Sequence, residues 1–140
     1  TRIPERLREI EPLVTGPVTP NREGRLGFGL GLKHGVEFNI NREQHHHAEP
    51  VRIGELQIWD VLNRSPVHHP FHLHGFFFQV LEVNGKPPDF LSWEDTLNVP
   101  AFGSVRIAWM ADDRPGGWMY HCHILEHHAA GMMAHFDVVR

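Results

Sequence analysis

The sequence predicts an all-β fold of the β-sandwich type. Apolar and polar residues alternate with a period of two in short segments such as 36–41 and 55–63, which is the pattern of half-buried strands. Glycine, proline and asparagine separate these segments, as is typical of turns between strands. Helical periodicity is nearly absent. About seven or eight short strands joined by turns favour two sheets packed face to face.

The predicted strands can be justified in chain order. Glycine alternates with apolar residues over 24–32, as in a strand pressed close to another backbone. Segments 36–41 and 55–63 alternate with period two, and 76–83 is apolar enough to bury most of one face. The complete set of predicted strands is 24–32, 36–41, 55–63, 76–83, 104–110, 118–122 and 133–139.

The connections have their own signals. Asn84-Gly85 ends the fourth predicted strand and predicts a tight hairpin turn. Residues 113–117 predict a second turn. One short helix is expected over 124–130, ended by Gly131. Prolines and charges make 1–24 read as an irregular lead-in or linker from an upstream domain, so the domain itself is predicted to begin at residue 25.

Composition excludes several classes of function. The chain has 140 residues, a net charge of −4 and no basic run, so nucleic acid is not an expected partner. No apolar run approaches the roughly 18 residues that suggest a membrane span. A single cysteine rules out an internal disulfide, and a lone thiol is usually a small buried hydrophobe. Histidine, by contrast, is abundant at 13 residues, and it is the commonest metal ligand.

The placement of the one cysteine points to a metal site. Within Y-H-C-H-I-L-E-H-H-A-A-G-M-M (120–133), Cys122 is followed by His127 and Met132. Two histidines and one cysteine, with a distant methionine on the axis, are the ligand set of a blue-copper electron-transfer site. A strong candidate for the second histidine is His69, which a proline follows. Zinc would prefer a tetrahedral set without a thioether.

Four more histidines occur in pairs that are two residues apart. They are His72 with His74, and His121 with His123. Because side chains alternate across a strand, Cys122 would face one way while His121 and His123 face the other. Outward imidazoles suit a second metal site, since unsatisfied polar nitrogens are costly to bury. Cys122 would then connect two metal centres through a few covalent bonds.

The stretches H-P-F-H-L-H-G (69–75) and H-C-H-I-L-E-H-H-A-A-G-M (121–132) resemble the paired copper signatures of the multicopper oxidases. This is the family of laccases, ascorbate oxidase and bacterial copper-efflux oxidases. Both stretches match at every ligand position, and the likeness covers roughly residues 25–140. The resemblance implies that 25–140 is the C-terminal cupredoxin domain, a Greek-key β-sandwich with one short helix near its C-terminal copper-binding segment.

The resemblance also implies a role for each ligand. The implied ligands of one mononuclear type 1 copper are His69, Cys122 and His127, with Met132 on the axis. The implied ligands of the trinuclear cluster are His72 at the type 2 copper and His74, His121 and His123 at the binuclear type 3 pair. Met133 competes with Met132 for the axial position, but the family spacing favours Met132. Cys122, His121 and His123 would together carry electrons from one centre to the other.

Half of the implied cluster lies elsewhere. This chain supplies four of the eight histidines that the family's trinuclear cluster takes. The others are expected from an N-terminal cupredoxin domain of the same oxidase, on the same precursor, on a cleaved piece or in a neighbouring subunit. His45 and His47 also spell H-x-H, but they lie in a polar segment that predicts a solvated loop.

The implied function is that of a laccase-like oxidoreductase. Type 1 copper would take single electrons from a phenolic, amine or metal-ion reductant, and the trinuclear cluster would reduce dioxygen to water. Two alternatives are a stand-alone blue-copper electron carrier and a relative of copper nitrite reductase, although neither needs all four outward histidines. The family further implies a periplasmic or secreted protein. Glu94 and Asp95 are expected either to orient ligand histidines or to lie in an exposed turn.

Overall fold

The structure is a computed structural model that describes residues 10–31, 35–41, 46–122 and 132–140. Their regular secondary structure is β throughout. In chain order the strands are β1 (Arg22–Gly31), β2 (Gly35–Ile40), β3 (His46–His47), β4 (Val51–Arg52), β5 (Leu56–Asn63), β6 (His69–Leu73), β7 (Phe78–Val83), β8 (Trp93–Glu94), β9 (Thr96–Val99), β10 (Ser104–Met110), β11 (Gly116–Cys122) and β12 (Met133–Val139). Within those ranges, no helix is long and apolar enough to cross a membrane.

The strands form two six-stranded sheets. The first has the order β2-β1-β5-β10-β7-β8. The second has the order β3-β12-β11-β6-β9, with β4 also paired to β12. Most neighbours are antiparallel, whereas β1 runs parallel to β5, and β3 and β4 run parallel to β12. The all-β class predicted from alternation and turn signals is confirmed.

All seven predicted strand segments are strands in the structure. The segment 133–139 has the same bounds as β12, and the others agree with β1, β2, β5, β7, β10 and β11 to within a few residues. The predicted turn over 113–117 is wrong at its end, because β11 already begins at Gly116. Glycine has no side chain and so adds nothing to an apolar–polar alternation. Gly116 and Gly117 nevertheless pair with β12, and this pairing extends β11 beyond the segment that the sequence predicts. The predicted helix over 124–130 lies outside the described residues.

The sequence pattern did not predict the shortest strands. β3, β4 and β8 have two residues each, too few to show a period. The predicted solvated loop around His45 and His47 is therefore partly wrong for the backbone, since β3 pairs with β12. A neighbouring main-chain hydrogen bond, from Ala48 N to the His135 carbonyl at 2.7 Å, extends this pairing.

The hairpin turn predicted at Asn84-Gly85 is confirmed. Asn84 has a φ of 50° and Gly85 a φ of 78°, and two positive φ values in succession define a type I′ turn. Val83 N donates to the Lys86 carbonyl at 2.8 Å, and Lys86 N donates back at 3.1 Å. The Asn84 side chain also accepts a hydrogen bond from Ser104 N at 2.9 Å, which ties the turn to β10.

Aromatic side chains fill the space between the sheets. Trp59 of β5 contacts Trp109 of β10 edge to face, with ring centroids 5.1 Å apart. Trp59 also meets Tyr120 of β11 at 5.2 Å and Phe136 of β12 at 6.0 Å. Each such aromatic pair stabilises the fold by about 0.5–1.5 kcal/mol beyond the contribution of the surface area that it buries. These contacts fix β11, which carries Cys122, against the opposite sheet.

The segment before β1 is attached to this core. Gln79 of β7 is buried, and its side chain accepts a hydrogen bond from Leu13 N and donates one to the Glu11 carbonyl, both at 2.8 Å. A buried amide must find such partners, because an unsatisfied one is costly. The predicted change from linker to domain at residue 25 stays a prediction.

Candidate metal centre

Two adjacent strands bring the sequence motifs together. β6 and β11 pair antiparallel, with Phe71 opposite Cys122 and His72 opposite His121. Phe71 and Cys122 are buried in the core, whereas His72 lies half-buried on the other face. Partners in a ladder share a face and successive residues alternate. The Cys122 sulfur and the His121 ring are therefore on opposite sides of the second sheet, as strand alternation predicts.

The inner face gathers three donor side chains. His69, Cys122 and Met132 all have 0% exposure. His69 Nδ1 lies 3.3 Å from Cys122 Sγ, and Cys122 N donates a hydrogen bond to the Met132 carbonyl at 3.2 Å. An imidazole and a thiol thus meet on the core side of β11, and the buried Met132 is bonded to Cys122 through its main chain.

Strand register separates the two candidate methionines. Met133 is the ladder partner of His121, so it belongs to the outer face with the histidines. Met132 belongs to the buried core cluster that also contains Cys122. This placement favours Met132 over Met133 as the methionine beside the sulfur.

The outer face gathers three imidazoles. One ring nitrogen from each of His72, His74 and His121 lies within 4.8 Å of the others. The ring centroids are 4.7–5.4 Å apart, and His74 Nε2 is 2.8 Å from His121 Nε2. We call these three residues the outer histidine cluster.

The hydrogen bonds of this cluster define its tautomers. His72 Nδ1 is 2.9 Å from the Asp95 carbonyl and 2.9 Å from Thr96 Oγ1. His121 Nδ1 is 2.8 Å from the Cys122 carbonyl. A carbonyl can only accept, so each Nδ1 carries the proton and each neutral ring keeps its lone pair on Nε2. A hydrogen bond from one ring nitrogen orients a histidine whose other nitrogen binds a metal.

A buried tyrosine lies beside the inner site. Tyr120 is two residues before Cys122 on the same buried face of β11. Burial raises the pKa of the Tyr120 phenol to about 12, and the nearby Arg22 charge opposes part of that shift. The Arg22 guanidinium lies 5.0 Å from the centre of the Trp59 ring. In such a low-dielectric setting electrostatic interactions are stronger than in water.

Some predicted site residues lie outside the described ranges. His123 and His127 are among them, as is the whole predicted helix. The structure therefore brings together His69, Cys122 and Met132 on one face and the outer histidine cluster on the other. Metal ligation by all eight candidate residues stays a prediction.

Other predicted contacts differ in detail from the sequence expectation. It is the Asp95 main chain, rather than its carboxylate, that meets His72, while that carboxylate accepts from Thr96 Oγ1 at 3.1 Å. His68 is exposed and lies 3.2 Å from the Asn98 side chain. Thr96 and Ser65 were not identified from the sequence. Thr96 reaches His72 through the pairing of β9 with β6. Ser65 lies only four residues before His69, but its role depends on its hydrogen bond to Asn63.

A cleft adjoins the outer histidine cluster. It has a volume of about 360 Å³ and is lined by His74, Gly117, Trp118, Met119 and His135. Met119 and His135 are ladder partners on β11 and β12. The cleft opens on the sheet face that carries the cluster, so it belongs to the same site.

Comparison with known proteins gives a consistent result. The sequence profile of a family described as "Multicopper oxidase" matches residues 19–140. Over 105 residues the chain is 33% identical to the multicopper oxidase MmcO of Mycobacterium tuberculosis, covering 74% of this chain and 20% of that protein. Over 140 residues it is 31% identical to a laccase of Haloferax volcanii, covering 96% of this chain and 24% of that protein.

Solved structures agree with these matches. A multi-copper oxidase from Pediococcus acidilactici is 30% identical with a TM-score of 0.81, covering 99% of this chain and 30% of that one. A multicopper oxidase from Campylobacter jejuni, titled a metallo-oxidase, is 28% identical with a TM-score of 0.76, covering 94% of this chain and 34% of that one. The two sheets thus have the cupredoxin-like arrangement of these proteins. The chain spans only about a fifth to a third of its relatives' length.

Proposed function

Because this chain belongs to the multicopper oxidase family, we propose that it is the domain that accepts single electrons from a reductant and passes them toward dioxygen. The observation that carries the proposal is the division of donors between the two faces of β11. Cys122 is on the inner face with His69, whereas His121 is on the outer face with His72 and His74. One strand thus links two groups of metal-binding side chains.

The residues present fit copper by the chemistry of their donors. A thiolate, an imidazole and a thioether are soft or borderline ligands, the combination that blue-copper sites use. On the inner face these would be His69, Cys122 and Met132, completed by His127. On the outer face His72, His74 and His121, completed by His123, would supply half of a trinuclear cluster. When bound, type 1 copper would supply single-electron transfer, and the type 2 and type 3 coppers would supply the reduction of dioxygen to water.

Residues of this chain orient the outer histidines and connect them to Cys122. The hydrogen bonds to His72 Nδ1 and His121 Nδ1 leave the Nε2 lone pairs of these rings directed into the cluster. At 2.8 Å, the nitrogens of His74 and His121 would repel each other unless a proton or a metal ion lay between them. The covalent path from the Cys122 sulfur to the His121 ring crosses a single peptide link, which makes Cys122 the electron route.

The outer histidine cluster also weighs against the alternatives. A stand-alone electron carrier needs only the inner donors, so it gives no reason for three converging imidazoles on the outer face. An N-terminal cupredoxin domain of the same oxidase would supply the remaining histidines, from the same precursor, a cleaved piece or a neighbouring subunit. The reductant would be a phenol, an amine or a metal ion. We further propose that the parent protein works in the periplasm or is secreted, which cell fractionation would test.

Copper reconstitution tests the proposal. We expect the chain with added copper to develop an intense blue absorption without consuming oxygen. Oxygen uptake with a phenolic reductant should appear only when the upstream domains of the same oxidase are present. The Cys122→Ser variant should lose the blue band while keeping the far-UV spectrum of a β protein, because serine fits the same buried space. Absence of a blue band in both the chain and the complete oxidase would refute the proposal.

A further inference from the structure

A buried serine contacts the rear of the His69 ring. Ser65 precedes His69 by four residues and is 1% exposed. Its Oγ lies 2.6 Å from His69 Nε2, while His69 Nδ1 on the opposite side of the ring lies 3.3 Å from Cys122 Sγ. The ring is therefore held between a hydroxyl group and the sulfur. In the neutral ring, the position of the single N–H proton decides whether Nδ1 turns a lone pair or a proton toward the sulfur.

The amide of Asn63 establishes the direction of the hydrogen bonds around Ser65. The two protons of Asn63 Nδ2 are shared among three main-chain carbonyls, those of Val67, Val99 and Pro100, at 2.7, 3.2 and 3.0 Å. Asn63 Oδ1 accepts from Ser65 N at 3.0 Å. A flipped amide would set its NH₂ group against a backbone N–H and its oxygen against three carbonyls. The orientation of the Asn63 side chain is thus determined by its partners.

Counting protons then fixes the tautomer of His69. The Ser65 hydroxyl has one proton and lies 2.7 Å from Asn63 Oδ1 and 3.1 Å from the Val67 carbonyl. Both of those oxygens can only accept, so the hydroxyl proton goes to one of them. The remaining close neighbour of the hydroxyl oxygen, His69 Nε2, must then be the donor. If Ser65 donated to His69 instead, lone pairs would face each other in a buried site, which is costly.

We propose that Asn63 and Ser65 are positioning residues that hold His69 in its Nε2-protonated form, with the Nδ1 lone pair aimed at the Cys122 sulfur before any metal binds. The tautomer itself follows from this chain's hydrogen bonds, whereas naming copper as the ion that uses it rests on the proposed function. Such a contact keeps a ligand ring from rotating and sets its basicity. Asn63 and Ser65 therefore act on the metal through His69, without touching it.

The backbone around Ser65 keeps this relay in place. Phe102 N donates to the Ser65 carbonyl at 3.0 Å, and Asn63 N donates to the Gly103 carbonyl at 2.8 Å. The connection from β5 to β6 is thereby fastened to the segment that precedes β10. These bonds restrict the short connection, so the serine has little freedom to move away from the ring.

The direct test is nitrogen-15 NMR of the metal-free chain with labelled histidine. Long-range proton–nitrogen spectra should show His69 with a protonated Nε2 and an unprotonated Nδ1. The Ser65→Ala variant, which removes the acceptor of that proton, should shift His69 toward a mixture of tautomers. Ser65→Thr retains the hydroxyl and should restore the wild-type pattern. Ser92→Ala, which removes a hydroxyl that donates to Glu94 at 2.7 Å far along the chain, should leave His69 unchanged.

Copper binding provides the second measurement. Loss of an outer contact to a metal-bound histidine typically costs about tenfold to a hundredfold in affinity, so Ser65→Ala should bind copper that much more weakly and show a shifted blue band. An Nδ1-protonated His69 in the wild-type chain would overturn the inference without any variant being needed. An unaltered tautomer in folded Ser65→Ala would overturn it too. Correct tautomers without blue colour would instead count against the proposed function alone.

Discussion

Individual hydrogen bonds decide which ring nitrogen carries the proton in His72 and His121. His72 meets the Asp95 carbonyl and the Thr96 hydroxyl through Nδ1, and the hydroxyl in turn donates to the Asp95 carboxylate at 3.1 Å. His121 uses the Cys122 carbonyl in the same way. These contacts leave Nε2 of both rings directed into the outer histidine cluster, although the two rings come from different strands. The orientation of these two rings is therefore set by individual hydrogen bonds.

Replacing Thr96 tests the contact to His72. Thr96→Val keeps the shape of the side chain and removes its hydroxyl, which should cost about 1 kcal/mol of unfolding free energy. In the complete oxidase we expect about tenfold weaker copper binding at the outer cluster, measured by copper content and electron paramagnetic resonance. The blue band should not change, because His69 and Cys122 lie on the other face of the sheet.

A matched control for this variant exists in the same chain. Thr19→Val makes the same substitution at an exposed position in the irregular segment before β1, and it should alter neither copper content nor stability. If Thr96→Val weakened the blue band as strongly as it reduced copper at the cluster, the separation of the two faces would be wrong.

The sequence predicted the candidate ligands but not the residues that orient them. Ligand positions follow a local rule, since His72 and His74 must share a face wherever their segment is extended. Asn63, Ser65 and Thr96 gave no such signal. Thr96 reaches His72 only because β9 pairs with β6, and the effect of Ser65 depends on where the Asn63 amide finds its three carbonyls. Such partners are set by the fold and not by spacing.

At the level of elements, the turn after β6 holds the end of the histidine motif. Gly75 follows His74 and has a φ of 80°. A Cβ atom there would collide with the Trp118 ring. Arg114 stacks on Phe76 at 4.7 Å and on Trp118 at 5.2 Å, and its guanidinium donates to the Gly75 carbonyl. The loop before β11 therefore closes tightly over the glycine that the motif provides.

Gly75→Ala should be strongly destabilising. The substitution adds backbone strain of about 1–3 kcal/mol and a steric conflict of similar size, so we expect the unfolding free energy to fall by about 3 kcal/mol in urea titrations. Gly85→Ala is the matched control, because Gly85 has a φ of 78° but no atom within 4 Å of the added carbon. That variant should lose only the strain. Equal losses at both glycines would show that Trp118 does not restrict the turn.

At the level of the whole molecule, one face of the second sheet carries the outer histidine cluster. His72 and His74 are half-buried there, next to the cleft of about 360 Å³ that includes Met119 and His135. The chain covers only a fifth to a third of its relatives' length. An incomplete group of imidazoles on an accessible face is what a domain would present if a second domain supplied the other ligands.

Chemical labelling of histidine tests this arrangement. In the metal-free chain, diethyl pyrocarbonate should modify His72 and His74, as read by mass spectrometry. In the metal-free complete oxidase, modification of these residues should fall several-fold because the upstream cupredoxin domain would cover them. His68 is exposed and contacts Asn98 rather than the outer histidine cluster, so its modification should fall less than theirs. Equal labelling of His72 and His74 in both would argue against a partner on this face.

The sequence by itself determined the all-β class, the longer strands, the Asn84-Gly85 turn and the assignment of Cys122 and His121 to opposite faces. Each of these depends on alternation or turn chemistry between residues close together in the chain. Only the tertiary structure decided the pairing of β6 with β11 and β9, the contact of His69 with Cys122, and the hydrogen bond of His72 with Thr96. Those features join residues far apart in sequence, and the register between strands is set by the packing of both sheets around the common aromatic core.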